Sequence, residues 1–234
     1  MAKLRVAIVR PEDAAEPVDM CCVIDVLRAT TTASVLCSRF GELVVVRSPA
    51  ELRELPGSHY AVFSELSSLT TELPRYDNSP AIAWAADLEG RTPVLITTNG
   101  TISVALAAKF ARDIVLASFV NLSAVVAYVR GTGAKSVAIM PAGHVQKAER
   151  CIEDDTCAEA LLHRLRGDVC NEQAALAACR ADPRIIRRTA QISADVEICF
   201  DVDAVPVVAA VVTAVGGWYL LRAQAGQNVE GTLR

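Results

Sequence analysis

A carboxylate, a guanidinium and three hydroxyl groups lie close together in the sequence, at the end of an apolar run. Residues 23–32 read Val-Ile-Asp-Val-Leu-Arg-Ala-Thr-Thr-Thr, which places Asp25, Arg28, Thr30 and Thr31 in one short stretch. Mg²⁺ prefers carboxylate and water oxygens, whereas a phosphate dianion prefers Arg, hydroxyl and backbone N–H groups. These residue types predict a place where a divalent cation and a phosphate meet.

A second polar motif follows another apolar run. Residues 93–97 have the composition of a buried strand, and Thr98-Asn99-Gly100-Thr101 comes directly after it. One interpretation is a tight turn at Gly100 with Thr101 capping the next helix, and the other is contact of this motif with a ligand. The residues alone leave both interpretations open.

Short apolar runs alternate with helical patterns along the chain, without a long polar linker. This alternation predicts an α/β fold, a three-layer α/β/α arrangement with a largely parallel or mixed central sheet, in a single domain over residues 1–234. Residues 224–234 are expected to form a flexible tail. Ligands bind at the carboxyl edge of such sheets, beside helix N-termini, so the two polar motifs are expected to share a crevice.

Periodicity predicts the individual elements. We expect strands at residues 20–24, 43–46, 60–63, 94–97, 114–117, 137–140 and 196–200. We expect helices from about residue 29 to 41 and at residues 50–55, 80–86, 104–110, 122–129, 153–165 and 172–180. Residues 204–221 are apolar but interrupted by Pro206, Thr213 and a Gly-Gly pair. This pattern favours a core strand with a turn, or a buried helix, over a membrane span.

Composition narrows the kinds of partner. The chain has 234 residues, of which 52% are hydrophobic, and its 23 basic and 27 acidic residues give a net charge of -4. The charges are mixed along the chain, so no broad basic surface for nucleic acid is expected, and the length suffices for a well-buried core. We expect no membrane association, whereas homo-oligomerisation is compatible with so apolar a chain.

The eight cysteines form no C-x-x-C pair, which argues against a zinc site. No signal peptide is evident at Met1-Ala2-Lys3-Leu4, so we expect reduced thiols in a cytoplasmic protein. Cys151 and Cys157 flank an acidic cluster, which makes a catalytic thiol a minor alternative. No histidine lies nearby in the sequence to activate such a thiol.

Five motifs occur in an order that is similar to one known family. They are Ile-Asp-Val-Leu-Arg-Ala-Thr-Thr-Thr from residue 24, Asp77-Asn78-Ser79-Pro80, Thr97-Thr98-Asn99-Gly100-Thr101, Ser118-Phe119-Val120-Asn121 and Glu153-Asp154. From about Arg5 to about Val207 the chain resembles the 2-phosphosulfolactate phosphatase (ComB-like) family. The resemblance implies a layered α/β fold and a Mg²⁺-dependent phosphatase. Members of that family convert 2-phosphosulfolactate to sulfolactate on the way to coenzyme M.

The resemblance also assigns roles to individual residues. It implies catalytic carboxylates at Asp25, Glu153 and Asp154, and Mg²⁺ ligands at Asp25, Glu65 and Asp154. The implied substrate contacts are Arg28, Thr30, Thr31, Asn78, Ser79, Asn99, Gly100, Thr101 and Asn121. For the acids that open the helix at residue 153, a favourable interaction with the helix dipole is the structural alternative.

The chain departs from the family pattern in one region. A loop that is rich in glycine in the family reads Ser64-Glu65-Leu66-Ser67-Ser68 here. If Asn78-Ser79-Pro80 fixes the alignment, Arg75 stands where the family has Asp, and Asp77 stands where it has Gly. Because Mg²⁺ demands near-octahedral ligands, this departure bears on the metal geometry or the specificity pocket. Arg75 is also a candidate for binding a different anion.

These observations lead to one hypothesis and two alternatives. The hypothesis is a Mg²⁺-dependent phosphomonoester hydrolase with a small anionic phosphorylated substrate, for which the resemblance supplies 2-phosphosulfolactate. The alternatives are a phosphatase of a different small phosphorylated acid and a noncatalytic anion-binding homologue. Within the hypothesis, either a metal-activated water or Asp25 attacks phosphorus, and His144 is a further candidate for the general acid.

Overall fold

The computed structural model describes residues 4–13 and 16–225. Ten strands lie in this part of the chain: β1 Arg5–Ile8, β2 Val18–Ile24, β3 Glu42–Val46, β4 Tyr60–Phe63, β5 Arg75–Tyr76, β6 Thr92–Leu95, β7 Ala111–Ala117, β8 Ser136–Pro141, β9 Val207–Val215 and β10 Trp218–Ala225. The same residues contain eight α-helices: α1 Ala29–Phe40, α2 Pro49–Arg53, α3 Pro80–Ala85, α4 Gly100–Ala107, α5 Leu122–Thr132, α6 Ile152–Arg166, α7 Glu172–Arg180 and α8 Pro183–Cys199.

The strands form one mixed sheet in the order β1-β8-β2-β7-β9-β10-β3-β6-β4-β5. Pairing is parallel within the block β1-β8-β2-β7 and within the block β3-β6-β4-β5. The hairpin β9–β10 joins the blocks through three antiparallel pairings, β7 with β9, β9 with β10 and β10 with β3. The two parallel blocks therefore run in opposite directions along the sheet.

Helices cover both faces of the sheet, which confirms an α/β fold in three layers. Alternate residues of β2 enter two different apolar clusters, since Cys21 and Val23 pack in one and Cys22 and Ile24 in the other. The first cluster holds α1, α3 and α4, and the second holds α5, α6 and α8. This alternation is the period-two pattern of a strand buried on both faces.

Helix α1 is the centre about which the sheet curves. Its apolar side chains pack in a cluster that also contains Val23 and Ala138 of the first block and Phe63 and Leu95 of the second. Because both blocks pack on the same helix, the ends of strands with opposite directions in the sheet come to one side of α1. The structure therefore builds the predicted crevice by curvature, where the sequence suggested a single parallel edge.

Most predicted elements are confirmed, and the last part of the chain carries the corrections. The predicted strand 196–200 is wrong, because residues 183–199 form α8. Of the two interpretations of residues 204–221, the strand with a turn is the correct one, and Gly216 and Gly217 make the turn at positive φ. Gln224 and Ala225 belong to β10, and the rest of the predicted tail, 226–234, lies outside the described residues. No helix in the described ranges is long and apolar enough to cross a membrane.

Candidate active site

A polar cavity of about 210 Å³ opens where the strand ends converge on the N-terminus of α6. Segments that follow β2, β4, β5, β6 and β8 line it, together with side chains of α6 and α8. A molecule of water occupies about 30 Å³ in the liquid, so the cavity has room for a small phosphorylated acid and bound water. Carboxylate, amide and guanidinium groups dominate its walls.

Asp25 lies at the end of β2 and is 8% exposed. Its Oδ1 accepts a hydrogen bond of 3.2 Å from the backbone N–H of Ala29. Burial, together with the nearby carboxylates of Glu65 and Glu153, raises the pKa of the Asp25 carboxyl to about 7, against the hydrogen bonds from Ala29 and Gly100. Such a carboxylate is costly to ionise without a cation, which is the electrostatic signature of a metal or catalytic group.

The threonines after Asp25 do not line the cavity, in contrast to the role that the resemblance implied. The Thr30 hydroxyl donates to the backbone carbonyl of Asp25 at 2.9 Å and accepts from its N–H at 3.0 Å. The Thr31 hydroxyl donates to the carbonyl of Val26 at 2.8 Å and contacts the Ser118 hydroxyl at 2.7 Å. Both side chains instead fix the turn that aims Asp25 into the cavity.

Gly100 begins α4 and packs directly against Asp25. A Cβ atom at this position would lie 2.8 Å from Asp25 Oδ2 and 2.5 Å from the Cβ of Ala29. Only glycine permits this approach of the α4 N-terminus to the carboxylate. Thr101 does not line the cavity, and the prediction that it caps the helix is wrong, because Asn99 is the N-cap of α4 and no side chain makes a cap hydrogen bond. Thr101 lies inside the helix, and its hydroxyl hydrogen bonds with the backbone of Thr97.

Glu65 is the second carboxylate of the cavity. One of its oxygens accepts from the backbone N–H of Thr98 at 2.7 Å, and the other accepts from Asn78 Nδ2 at 3.0 Å. Asn99 also lines the cavity, and its Oδ1 accepts from the N–H of Val145. Glu65 therefore joins the two polar loops that follow β4 and β6.

Arg75 stabilises the loop that carries Glu65. Its guanidinium donates to the carbonyls of Leu66 and Leu69 at 2.5 and 3.0 Å. The side chain does not line the cavity, so the structure gives no support to Arg75 as a binder of a different anion. In a loop without glycines, these two bonds satisfy backbone carbonyls of the turn.

Glu153 and Asp154 lie in the first turn of α6 and have different surroundings. Asp154 accepts from the N–H of Val26 at 2.8 Å with one oxygen and from the N–H of Gly143 at 2.9 Å with the other. It thereby ties the loop after β2 to the loop after β8. Glu153 has no such backbone partners in another loop among the described residues. Burial raises the pKa of both carboxyl groups, and the Asp25 and Glu153 charges add to the shift at Asp154.

Arg28 lines the cavity but is held by two acids. Its Nη1 donates to Asp77 at 2.8 Å and to Asp195 at 2.5 Å. The other oxygen of Asp195 accepts from the hydroxyl of Ser79 at 2.5 Å and from the N–H of Ala81 at 3.2 Å. Ser79 caps α3 and does not line the cavity, so this network attaches α3 and α8 to the loop after β2.

Asn121 also lies away from the cavity and is fully buried. Its Nδ2 donates to the carbonyls of Leu116 and Val207, and its Oδ1 accepts from the N–H of Ser118 at 2.9 Å. Seven implied site residues do line the cavity: Asp25, Arg28, Glu65, Asn78, Asn99, Glu153 and Asp154. The remaining five side chains, Thr30, Thr31, Ser79, Thr101 and Asn121, support that lining through hydrogen bonds within the protein.

Three cavity groups come from segments that the motifs did not cover. Arg184 and Arg188 project from α8, one helical turn apart, and Glu149 lies in the loop after β8. A pair of arginines four residues apart behind Pro183 is a signal of one basic helix face. That signal was hidden by the wrong strand prediction at 196–200.

Cys151 is the cysteine in the cavity wall. All eight cysteines are free, and burial raises the pKa of the Cys151 thiol, with further increases from Asp154 and Glu153. A neutral thiol is a poor nucleophile. The structure therefore argues against a catalytic thiol.

The charge of the cavity bears directly on Mg²⁺. Five carboxylates and three guanidinium groups line it, so its formal charge is negative when all of them are ionised. A phosphate dianion cannot enter such a site favourably without a cation. In addition, Asn78 Oδ1 is buried without a hydrogen-bond partner among the described residues. Oxygen donors of these kinds fit Mg²⁺.

The carboxylates do not form a complete protein cage. Within residues 4–13 and 16–225, no three or more His, Cys, Asp and Glu side chains form a ready-made metal-binding group. Mg²⁺ differs from zinc in this respect, because it retains several waters and takes one or two carboxylates together with substrate phosphate. Asp25, Glu65 and Glu153 are suited to such partial coordination.

The fold is a curved mixed sheet with a carboxylate-rich cavity at its strand ends. These features define an α/β protein whose polar site contains both acids and arginines. The model of the 2-phosphosulpholactate phosphatase family matches residues 8–213, and the chain belongs to this family. The match includes every residue that lines the cavity.

Curated relatives agree with this family. The chain is 35% identical over 149 residues to a probable 2-phosphosulfolactate phosphatase of Thermus thermophilus, and the aligned segment covers 62% of each chain. It is 39% identical over 132 residues to the protein of the same name from Deinococcus radiodurans, and this aligned segment covers 53% of each chain. The aligned segments therefore span less than two thirds of the length of these relatives.

Proposed function

We propose that this protein is a Mg²⁺-dependent phosphomonoester hydrolase that acts on a small phosphorylated acid, with 2-phosphosulfolactate as the first candidate. The observation that carries the proposal is the negative cavity with the buried Asp25 and the half-buried Glu65 and Glu153, because its charge and its oxygen donors suit a cation that receives phosphate. The family and the names of the relatives from Thermus and Deinococcus supply the candidate substrate.

Asp25, Glu65 and Glu153 are the residues that we assign to Mg²⁺. When bound there, Mg²⁺ would neutralise charge on the phosphate and lower the pKa of a coordinated water. Asp154 was implied as a ligand, but both of its oxygens accept backbone N–H groups. We assign to Asp154 the task of holding the loops after β2 and β8 at a fixed separation.

The cavity also contains a candidate proton donor for the alkoxide that leaves when the phosphate ester is cleaved. His144 lines the same cavity as Glu153. Its backbone is fixed, because its N–H donates to the carbonyl of Glu149 at 2.8 Å. An imidazole in this position is suited to donate a proton to the departing alcohol oxygen.

The direct test is phosphate release from 2-phosphosulfolactate and a panel of small phosphorylated acids, with Mg²⁺ and with a chelator. We expect turnover that requires Mg²⁺ and that Asp25→Asn removes. Acid quench during turnover separates the two routes, since a phosphorylated protein would show Asp25 as the nucleophile and its absence would favour attack by water. No release by the folded protein from any compound would favour the noncatalytic anion-binding homologue. A cytoplasmic location and homo-oligomerisation stay predictions of the sequence.

A further inference from the structure

Helix α8 brings two arginines to the cavity from outside the sheet. Arg184 and Arg188 both line the cavity, with Ile185 between them on the same side. Ile185 is 2% exposed and belongs to the apolar cluster beneath α6. This apolar anchor fixes the helix face on which both arginines lie.

The far end of α8 is also fixed. The helix bends at Ile192, whose φ of -137° and ψ of 51° are not helical. Beyond the bend, Asp195 is 4% exposed and binds Arg28 and Ser79. The arginine segment is therefore held at Ile185 on one side and at Asp195 on the other.

Arg28 and the α8 arginines differ in the charge that they can offer to a ligand. Both hydrogens of Arg28 Nη1 are directed at the carboxylates of Asp77 and Asp195, which balance its charge. Arg188 forms no ion pair or hydrogen bond with any residue in the described ranges, and Arg184 has a 3.3 Å pair with Asp182 at the start of the helix. Of the three guanidinium groups that line the cavity, that of Arg188 has no partner among the described residues, and that of Arg184 has one carboxylate where Arg28 has two.

Arg184 and Arg188 enter the cavity from a different element than the proposed Mg²⁺ ligands. Asp25 follows β2, Glu65 follows β4 and Glu153 lies in the first turn of α6, whereas both arginines lie on α8. An anion at the arginines therefore lies on the α8 side of the cavity. A guanidinium binds a carboxylate or a sulfonate through two parallel hydrogen bonds.

We propose that Arg184 and Arg188 bind a second anionic group of the substrate, a carboxylate or a sulfonate, while its phosphate lies at the acidic side of the cavity. The inference rests on the proposed function and adds the residues that select the substrate class. It makes a phosphomonoester with a second strong anion the preferred substrate over one that has the phosphate alone.

The test compares Arg188→Ala with Arg187→Ala, a neighbouring arginine on α8 that does not line the cavity. Three phosphate esters serve as probes: 2-phospholactate has a carboxylate, the phosphate of 2-hydroxyethanesulfonate has a sulfonate, and ethyl phosphate has neither. We expect Arg188→Ala to lower kcat/KM about tenfold or more for at least one of the first two, mainly through KM. Ethyl phosphate and the Arg187→Ala protein are expected to change by less than about threefold.

The pattern across the three esters decides the outcome. A loss confined to the carboxylate ester or to the sulfonate ester identifies the group that α8 binds, and Arg188→Lys is expected to recover part of it. An equal loss with all three esters would overturn the inference, because Arg188 would then act on the phosphate. No loss with any ester would overturn it as well.

A binding measurement separates this inference from the phosphatase proposal. Calorimetric titration of sulfolactate, which has no phosphate, into the Mg²⁺-saturated protein is expected to show weaker binding to Arg188→Ala and Arg184→Ala than to Arg187→Ala. This result would support the anion site even if no ester were hydrolysed. Equal affinity of all three variants, or no binding to the wild-type protein, would refute it whatever the activity.

Discussion

Two walls of the same cavity are built in different ways. The acidic wall, Asp25, Glu65 and Glu153, consists of a strand end, a loop fixed by backbone hydrogen bonds and the first turn of α6. The arginine wall, Arg184 and Arg188, belongs to one helix that packs beside the sheet and leaves Arg188 exposed. The acidic wall is fixed by the core, whereas the arginine wall is held only by α8.

We infer from this difference that the acidic wall serves the reaction and the arginine wall serves substrate selection. Groups that take part in the reaction need to be fixed before the substrate arrives, and the core provides that for the acidic wall. A wall on a single helix can change without disturbing the sheet, and it is suited to substrate selection. Loss of an acidic group should therefore abolish turnover with every substrate, whereas loss of an arginine should change the preference among substrates.

The largest effect is expected for Asp25→Asn. Turnover should fall by about 10³-fold or more, because the substitution removes a carboxylate that we propose to bind Mg²⁺. The metal-free protein should meanwhile become more stable at high pH. The pKa of Asp25 is raised to about 7 by burial, so ionisation costs stability as pH rises from the unfolded-state value of about 4 through 7. Thermal unfolding at pH 5 and pH 8 checks this, with the exposed Asp113→Asn as the control.

If wild type and Asp25→Asn unfold at the same temperature at pH 8 without metal, this result would contradict the raised pKa of Asp25. Residual turnover near the wild-type rate would contradict the role of Asp25 in the acidic wall. The two measurements are independent, because one concerns the metal-free protein and the other the reaction.

The next largest effect is expected for Gly100→Ala. The new methyl group would lie 2.8 Å from Asp25 Oδ2, so the carboxylate must leave its position. We expect a loss of about 10²-fold in kcat, comparable with the cost of a small misplacement of a catalytic group. Steady-state kinetics together with circular dichroism distinguishes this from unfolding. Wild-type kinetics in the variant would show that the position of Asp25 does not matter.

A smaller effect tests the anchor of the arginine wall. Asp195 and Asp77 both bind Arg28, but the side chain of Asp195 is 6% exposed and that of Asp77 is 45% exposed. Asp195→Asn should destabilise the protein by about 3 kcal/mol, since it breaks a buried network, and Asp77→Asn by about 1 kcal/mol or less. Urea unfolding of the two variants is the measurement. Equal destabilisation would show that α8 is not held through Asp195.

The smallest effect is expected for Cys151→Ser. Burial raises the pKa of this thiol, so it stays protonated and does not act as a nucleophile. The activity should change by less than about twofold, and serine is also a favourable residue at the helix N-cap that Cys151 occupies. A loss as large as that of Asp25→Asn would place thiol chemistry in the acidic wall.

The sequence predicted the acidic wall better than the arginine wall, for a physical reason. Asp25 follows β2 directly, and an apolar strand that ends in polar residues is recognisable locally. Glu65 and Glu153 were implied by the family resemblance. The arginines depend on α8, and the segment from Val196 to Phe200, which contains the end of α8 and its C-cap, is as apolar as a strand. Short apolar segments do not distinguish a buried helix end from a strand.

The hydroxyl and amide side chains that support the site show another limit. Thr30, Thr101 and Asn121 have the chemistry of phosphate ligands. Each of them instead forms hydrogen bonds with the backbone of the loops that carry the site. Residue type cannot distinguish a ligand contact from a support of this kind, because both use the same donors. The curvature of the sheet around α1 was also beyond local patterns, since it arises from packing between distant strands.

The most direct test of the acidic wall is a calorimetric titration of Mg²⁺ into the wild-type protein and Asp25→Asn at pH 6 and pH 8. A proton competes with the metal for Asp25, whose pKa is about 7. We therefore predict that wild type binds Mg²⁺ about tenfold more tightly at pH 8 than at pH 6, and that Asp25→Asn loses most of the affinity at both values. Affinity that is independent of pH, or that is unchanged in Asp25→Asn, would contradict a metal site at the acidic wall.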